Sequence, residues 1–272
     1  MPWVDTHCHL DAHEFGNESL QVAARARQQG VAMIVIPAVE RANFAIVRDL
    51  AAAAPNACYA LGIHPIYVPH ATEDDLLALR EAVALAMADP RFVAIGEIGL
   101  DFFLPMLCEP AMRVKQEHFL REQLKIARDF DLPVLAHVRR SQDIVLKHAR
   151  QIRPNGGIAH AFNGSFQQAQ GYIDLGFKLG FGGAMTFTRA LQIRRLAADL
   201  PLDAIVLETD APDMSPSWLH PGRNSPEQLP RIGAVLAELR GLDLAQVAAA
   251  SCGNARAVMP RLPLMEQTDD ES

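Results

Sequence analysis

Apolar residues in this chain fall into two alternating rhythms. Short runs rich in Val, Ile, Leu and Phe read as buried strands. They cover Trp3–His7, Ala32–Pro37, Cys58–Gly62, Phe92–Gly96, Pro133–His137, Gly157–His160, Lys178–Gly180 and Ala204–Glu208. Longer segments with helical spacing lie between and after them. These are Ser19–Gln29, Arg41–Ala53, Glu73–Met87, Arg113–Phe130, Ser141–Gln151, Ser165–Leu175, Thr186–Leu200, Pro226–Leu239 and Leu244–Val258. Eight strands, each followed by a helix, predict an α/β fold of the (β/α)8 TIM-barrel type, whose usual size is about 250 residues. The alternative is an open doubly wound sheet. No glycine-rich dinucleotide loop follows the first strand, which counts against the commonest form of that fold.

With 272 residues, half of them apolar, the chain can bury one large core. Glycine and proline are scattered, so the reading is a single hydrolase-sized domain over residues 1–260. A polar, acidic tail over 261–272 is expected to fray. The apolar runs are too short for a membrane-spanning helix, and the first residues lack the basic and apolar regions of a signal peptide. Four cysteines without CxxC spacing fit a reduced compartment, so the expected location is cytoplasmic. No membrane contact and no obligate protein partner are expected. The net charge of −7 argues against a protein that coats nucleic acid non-specifically. It leaves room for an enzyme that gathers a phosphodiester into a local cleft.

In a barrel, chemistry sits where the C-terminal strand ends meet. Residues two apart on a strand share a face, so His7 and His9 aim two imidazoles at one point. His64 ends the third strand, Glu97 the fourth, His137 the fifth, His160 the sixth and Asp210 the eighth. Singly, each has an ordinary explanation: a hydrogen-bonded core histidine, an ion-paired glutamate, or a helix cap. Jointly, those explanations bury several polar groups at one rim for unrelated reasons, which is costly. A metal centre accounts for all of them. Imidazoles suit zinc or manganese, and carboxylates also suit magnesium. The set fits two divalent ions (Mg, Mn or Zn), with one acidic residue between them, and hydrolysis as the reaction class.

At these residues the sequence resembles the TatD family of metal-dependent deoxyribonucleases, within the wider amidohydrolase-like group. The matching stretches are Asp5-Thr6-His7-Cys8-His9-Leu10-Asp11, Gly62-Ile63-His64-Pro65, Gly96-Glu97-Ile98-Gly99-Leu100-Asp101, Leu132–His137, His160-Ala161-Phe162-Asn163-Gly164 and Glu208-Thr209-Asp210-Ala211-Pro212. Arg223-Asn224-Ser225-Pro226 resembles the family's Arg-Asn-x-Pro segment. The resemblance implies a barrel with one ion on His7, His9, Glu97 and Asp210. It implies a second on Glu97, His137 and His160, with Glu97 bridging. It also implies phosphodiester hydrolysis of DNA, often from 3′ ends, with single strands or 3′ ends as the partner. Val138, Ala161 and Asn163 depart from the family's usual residues, and none of these changes removes a ligand.

The mechanism expected is attack of an activated water on phosphorus, with Asp210 orienting that water and taking its proton, and Glu97 holding the metals. His64 has two readings: a catalytic or substrate-binding group at the phosphate, or a structural hydrogen bond before Pro65. Arg139 is expected to clamp a phosphate, and Asn224 either to contact substrate or to shape a loop. Arg140 should face solvent or an acid. Asp5 and Asp101 should orient imidazoles, as ligand histidines require; for Asp101 the other reading is that it fixes a turn. Glu208 should meet backbone or an arginine. Phe102, Phe103 and Phe162 either stack on bases or pack. Two rivals remain at this stage: a hydrolase of a small phosphoester, amide or lactone, and an inactive metal-binding protein. No lysine ends a strand, which counts against the lysine-bridged branch of the wider group.

Overall fold

The computed structural model describes residues 1–263, and in them the apolar runs pair as eight parallel strands. They are β1 (Trp3–Asp5), β2 (Val31–Pro37), β3 (Ala57–Leu61), β4 (Phe92–Asp101), β5 (Val134–Arg139), β6 (Gly157–His160), β7 (Phe177–Phe181) and β8 (Ile205–Leu207). Each neighbours the next in chain order. The ends of β1 and β8 meet as well: the Thr6 amide and hydroxyl both donate to the Leu207 carbonyl, at 3.2 and 3.1 Å. The Asp210 amide donates to the His7 carbonyl at 2.8 Å. The result is the expected (β/α)8 barrel.

The helices are α1 (Ser19–Gln28), α2 (Phe44–Ala53), α3 (Glu73–Ala86), α4 (Pro110–Asp129), α5 (Gln142–Ile152), α6 (Phe166–Ile173), α7 (Leu191–Asp199), α8 (Leu229–Arg240) and α9 (Leu244–Val258). Helix α7 starts five residues later than its expected span, because Thr186 ends a separate 3-10 turn and a bend and turn over 187–189 follow it. Thr72 and Asp75 cap α3 reciprocally, and Ser165 and Gln168 do the same for α6.

Strand alternation splits the core in two. Ile34 and Ile36 of β2 face outward into a large cluster shared with the helices. Met33 and Val35 face inward, joining Val4, Cys58, Ala60, Leu135, Ile158 and Val206 inside the barrel. The end of α9 closes the bottom of that interior with Val258, Met259 and Leu262. Arg261 adds hydrogen bonds to the Phe92, Met87 and Asp89 carbonyls at 2.8, 3.0 and 3.0 Å. The packed part therefore runs past the expected boundary at 260, because Arg261 and Leu262 seal the barrel floor. The rest of the expected tail, residues 264–272, lies outside the described residues. No described helix is long and apolar enough to cross a membrane.

Strand β4 differs most from expectation. It continues five residues past Gly96, and three steps along it, Ile95 to Ile98, oppose two along β5, Val134 to Ala136. This bulge re-aims the chain at the barrel rim. Gly96 and Gly99 have φ of +152° and +150°. A Cβ on Gly96 would lie 2.6 Å from Leu135, and one on Gly99 would strike the His137 carbonyl. Only glycine fits at both places.

Candidate active site

The bulge turns Glu97 into the barrel mouth, where it is 2% exposed. Its two carboxylate oxygens face different histidines. Oε2 lies 3.2 Å from His7 Nε2 and 3.3 Å from His9 Nε2. Oε1 lies 2.8 Å from His137 Nδ1, 3.3 Å from His64 Nε2 and 3.8 Å from His160 Nε2. Asp210 divides in the same way. Oδ1 is 3.8 and 3.7 Å from His7 and His9, and Oδ2 is 3.7 Å from His160. Asp210 reaches this position in the left-handed backbone region, with φ +55°. Chain reversal after β8 is held by Asn224, whose amide donates to the Thr209 and Asp213 carbonyls at 2.8 and 2.9 Å.

His7 and His9 lie just past β1, not within it. The His9 amide leaves β2 and donates to the Ala211 carbonyl at 2.8 Å. The two Nε2 atoms still converge to 3.3 Å. Ligand atoms about 2.1 Å from a tetrahedral ion stand about 3.4 Å from each other. The four donors His7, His9, Glu97 Oε2 and Asp210 Oδ1 have spacings of that order, so this donor set fits a divalent ion. On the other side of Glu97, His137 and His160 offer nitrogens in the same range.

Groups behind the ligands set which nitrogen each ring presents. Glu208 Oε1 lies 3.1 Å from His160 Nδ1 and accepts the Ala161 amide at 2.6 Å. That leaves His160 Nε2 for the cleft. Asp101 Oδ2 lies 3.3 Å from His137 Nε2, so Nδ1 points to Glu97. The other oxygen of Asp101 accepts the Phe103 and Leu104 amides, so both of its expected roles are present. His7 Nδ1 is buried without a hydrogen-bond partner among the described residues.

His64 comes within ligand distance of Glu97 and His137. However, its Nδ1 accepts the Ile66 amide at 3.0 Å. The proton of the neutral ring then sits on Nε2, which has no free lone pair and faces His137 Nδ1 at 3.2 Å and Glu97 Oε1 at 3.3 Å as a donor. Buried Gln123 fixes the approach by bonding both the amide and the carbonyl of Ile63, at 2.7 and 3.1 Å.

The electrostatics follow from burial and crowding. Burial drives His7 down to about 4, helped by His160 stacked on it with ring centroids 3.8 Å apart. Burial opposes the charged form of His9 and His160 too, but carboxylates outweigh it. Glu97 raises His9 to about 9, and Glu208 and Asp210 raise His160 to about 10. Burial raises Asp210 to about 6. For Glu97, burial is outweighed by the surrounding imidazoles, which hold it well below the usual carboxylate range.

Several sequence expectations need correction. Asn224 is 0% exposed and its amide is fully engaged with backbone, so it shapes the Asp210 loop and does not reach a substrate. Among the described residues Asp5 meets no imidazole side chain. It accepts the Thr209 amide and hydroxyl at 2.9 and 2.5 Å and the His7 backbone amide at 3.3 Å, tying β1 to β8. Glu208 meets backbone as expected, but a histidine and not an arginine. Sequence reasoning missed this orienting role, because Glu208 and Asp210 lie past the end of β8, where strand alternation no longer tells which way a side chain points. Phe102 and Phe162 are buried packing residues. Phe103 is 42% exposed in the cleft, with the Arg139 and Arg140 guanidinium groups 3.9 and 4.7 Å from its ring centre. Arg140 thus lines the cleft beside Arg139. The whole cleft measures about 1040 Å³.

The barrel and its donor set define a metal-dependent hydrolase. A family model described as TatD related DNase matches residues 4–260, and the chain belongs to that family. As a member it is a metal-dependent hydrolase acting on ester bonds. It is 41% identical to an uncharacterized metal-dependent hydrolase, YjjV, of Escherichia coli K12, over 93% of this chain and 95% of the relative. It is 32% identical to a 3'-5' ssDNA/RNA exonuclease TatD of Rahnella sp., over 91% and 94%. The crystal structure of the E. coli K12 YjjV TatD homolog superposes with a TM-score of 0.89 at 39% identity, covering 95% of this chain and 98% of that one.

Proposed function

We propose that this chain is a nuclease with a dinuclear metal centre that cleaves phosphodiester bonds of DNA, removing nucleotides from the 3′ ends of single strands. The observation that carries this reading is the division of Glu97: one oxygen faces His7 and His9, the other His137 and His160. His7, His9, Glu97 and Asp210 would hold one ion, and Glu97, His137 and His160 the other. Bound divalent ions there would neutralise developing charge on phosphate oxygens and acidify water.

The protein's own groups do the rest. Asp210 accepts the proton of the attacking water, since its carboxylate stands at the cleft with one oxygen towards His7 and His9 and the other towards His160. His64 presents an Nε2–H, held in that tautomer by the Ile66 amide. It donates this hydrogen bond to a phosphate oxygen or to the leaving oxygen. Arg139 is 49% exposed, stacked on Phe103 and 3.8 Å from Asp101, so its fork is braced for a phosphate at the cleft edge. Asn224 serves by holding the Asp210 loop. The paired guanidinium groups favour a polyanion over an amide or lactone. The 3'-5' ssDNA/RNA exonuclease among the relatives supports the same reading of the substrate. The location expected from the sequence is the cytoplasm, with no obligate protein partner.

The test is incubation with 3′- and 5′-labelled single- and double-stranded DNA plus Mg²⁺ or Mn²⁺, beside Glu97→Ala and Asp210→Asn. The expected result is early loss of the 3′ label from single strands by the wild type alone. No release by the wild type, or equal release by both variants, contradicts the reading.

A further inference from the structure

A second cavity of about 630 Å³ opens beside the metal cleft. Pro212, Asp213 and Met214 line both spaces, as do Glu14, Ala184 and Ile193, so the two adjoin across these residues. The shared residues 212–214 begin two residues after Asp210 in the chain. A group seated here therefore sits next to the metal ligands, on the other side of the Asp210 loop.

The wall of this cavity is mainly apolar and includes one aromatic pair. Half-buried Phe187 meets His220 edge-on, with ring centroids 5.6 Å apart and planes at 81°. Arg223 borders the mouth, but its guanidinium is already engaged. It donates to the Glu14 carbonyl at 2.6 Å and lies over Phe15 at 4.8 Å. Glu14 and Asp213 add two carboxylates to the lining. The opposite edge of the cleft carries Arg139, Arg140 and Phe103. The two sides thus differ in chemistry: paired cations suit a run of phosphates, whereas an apolar slot with an aromatic face suits an uncharged flat ring.

We propose that this second cavity receives the base of the strand-end nucleotide being removed, with Phe187 and His220 as its stacking wall, while the remaining strand leaves over Arg139 and Arg140. This rests on the nuclease reading above. Every base has a π face, so stacking in an apolar slot is tolerant of sequence. The four bases should therefore be accepted at similar affinity, and the base itself should matter more than its identity.

The test uses single-stranded oligonucleotides whose last nucleotide is either intact or abasic, with a phosphorothioate at the last linkage to stop turnover. Binding to the full chain is measured in Mg²⁺, beside His220→Ala, an exposed position, and Phe187→Leu. The expected result is about ten-fold tighter binding of the intact end, with the difference shrinking in both variants. Equal affinity for intact and abasic ends in the wild type overturns the proposal, whatever the variants do. So does a preference that survives unchanged in both. If the intact end is preferred but normal linkages are never cut, the base pocket stands and the nuclease reading fails.

Discussion

Glu97 and Asp210 each split their two oxygens between histidines on opposite sides, and the ligand rings are held by residues behind them. This leads to specific expectations for single side chains. Glu208→Gln weakens the hold on His160 and should lower metal affinity about 10–100-fold, read by metal titration of a folded protein. His64→Ala should leave metal content unchanged and lower kcat about 10²–10⁴-fold, because it removes a donor and not a ligand. Loss of bound metal in that variant would contradict the tautomer set by Ile66. The titrations give a pH expectation. His9 and His160 hold protons to about 9 and about 10, so a cation must displace them. Metal binding should release protons and tighten as pH rises from 6 to 8; calorimetry in buffers of different ionisation heat measures both. The candidate ligands were legible in the sequence because each stands at the end of a short apolar run or just past it. Asn224 and Glu208 were not, because their roles depend on the Thr209 and Asp213 carbonyls and on the His160 ring, which only the fold brings near.

At the scale of elements, β4 is the part that the apolar pattern read least well. The run Phe92–Gly96 marked the strand's start, but a bulge has no hydrophobic signature, and the strand continues to Asp101. That bulge aims Glu97, and Gly96 and Gly99 make it possible. Gly99→Ala should destabilise the fold by at least about 2 kcal/mol, through a strained φ and a clash with the His137 carbonyl, and should weaken metal binding as well. Thermal unfolding with and without Mn²⁺ reads both effects. Strand β1 shows the opposite limit. Its pattern predicted strand through His7, yet pairing ends at Asp5, where the chain turns to bond Ala211 beyond β8. The histidines meet because the segments that follow β1 and β8 cross there, not because a strand alternates.

On the whole-molecule scale, the alternation of eight short apolar runs with helices sufficed for the barrel, since few folds satisfy that order. The closure of its floor was not legible, because Arg261 looked like the start of a polar tail. It bonds three carbonyls beneath the barrel, far from the rim. Arg261→Ala should cost about 1.5–3 kcal/mol of stability and leave metal affinity unchanged, measured by urea unfolding and metal titration. The separation of a stabilising floor from a reactive rim is a property of this architecture. The central claim concerns that rim: a pair of metals bridged by Glu97. Anomalous diffraction from crystals soaked in Mn²⁺ tests it most directly. Two peaks are expected flanking the Glu97 carboxylate, about 3.5–4 Å apart, one towards His7 and His9 and the other towards His137 and His160. A single peak, or peaks away from Glu97, would contradict it.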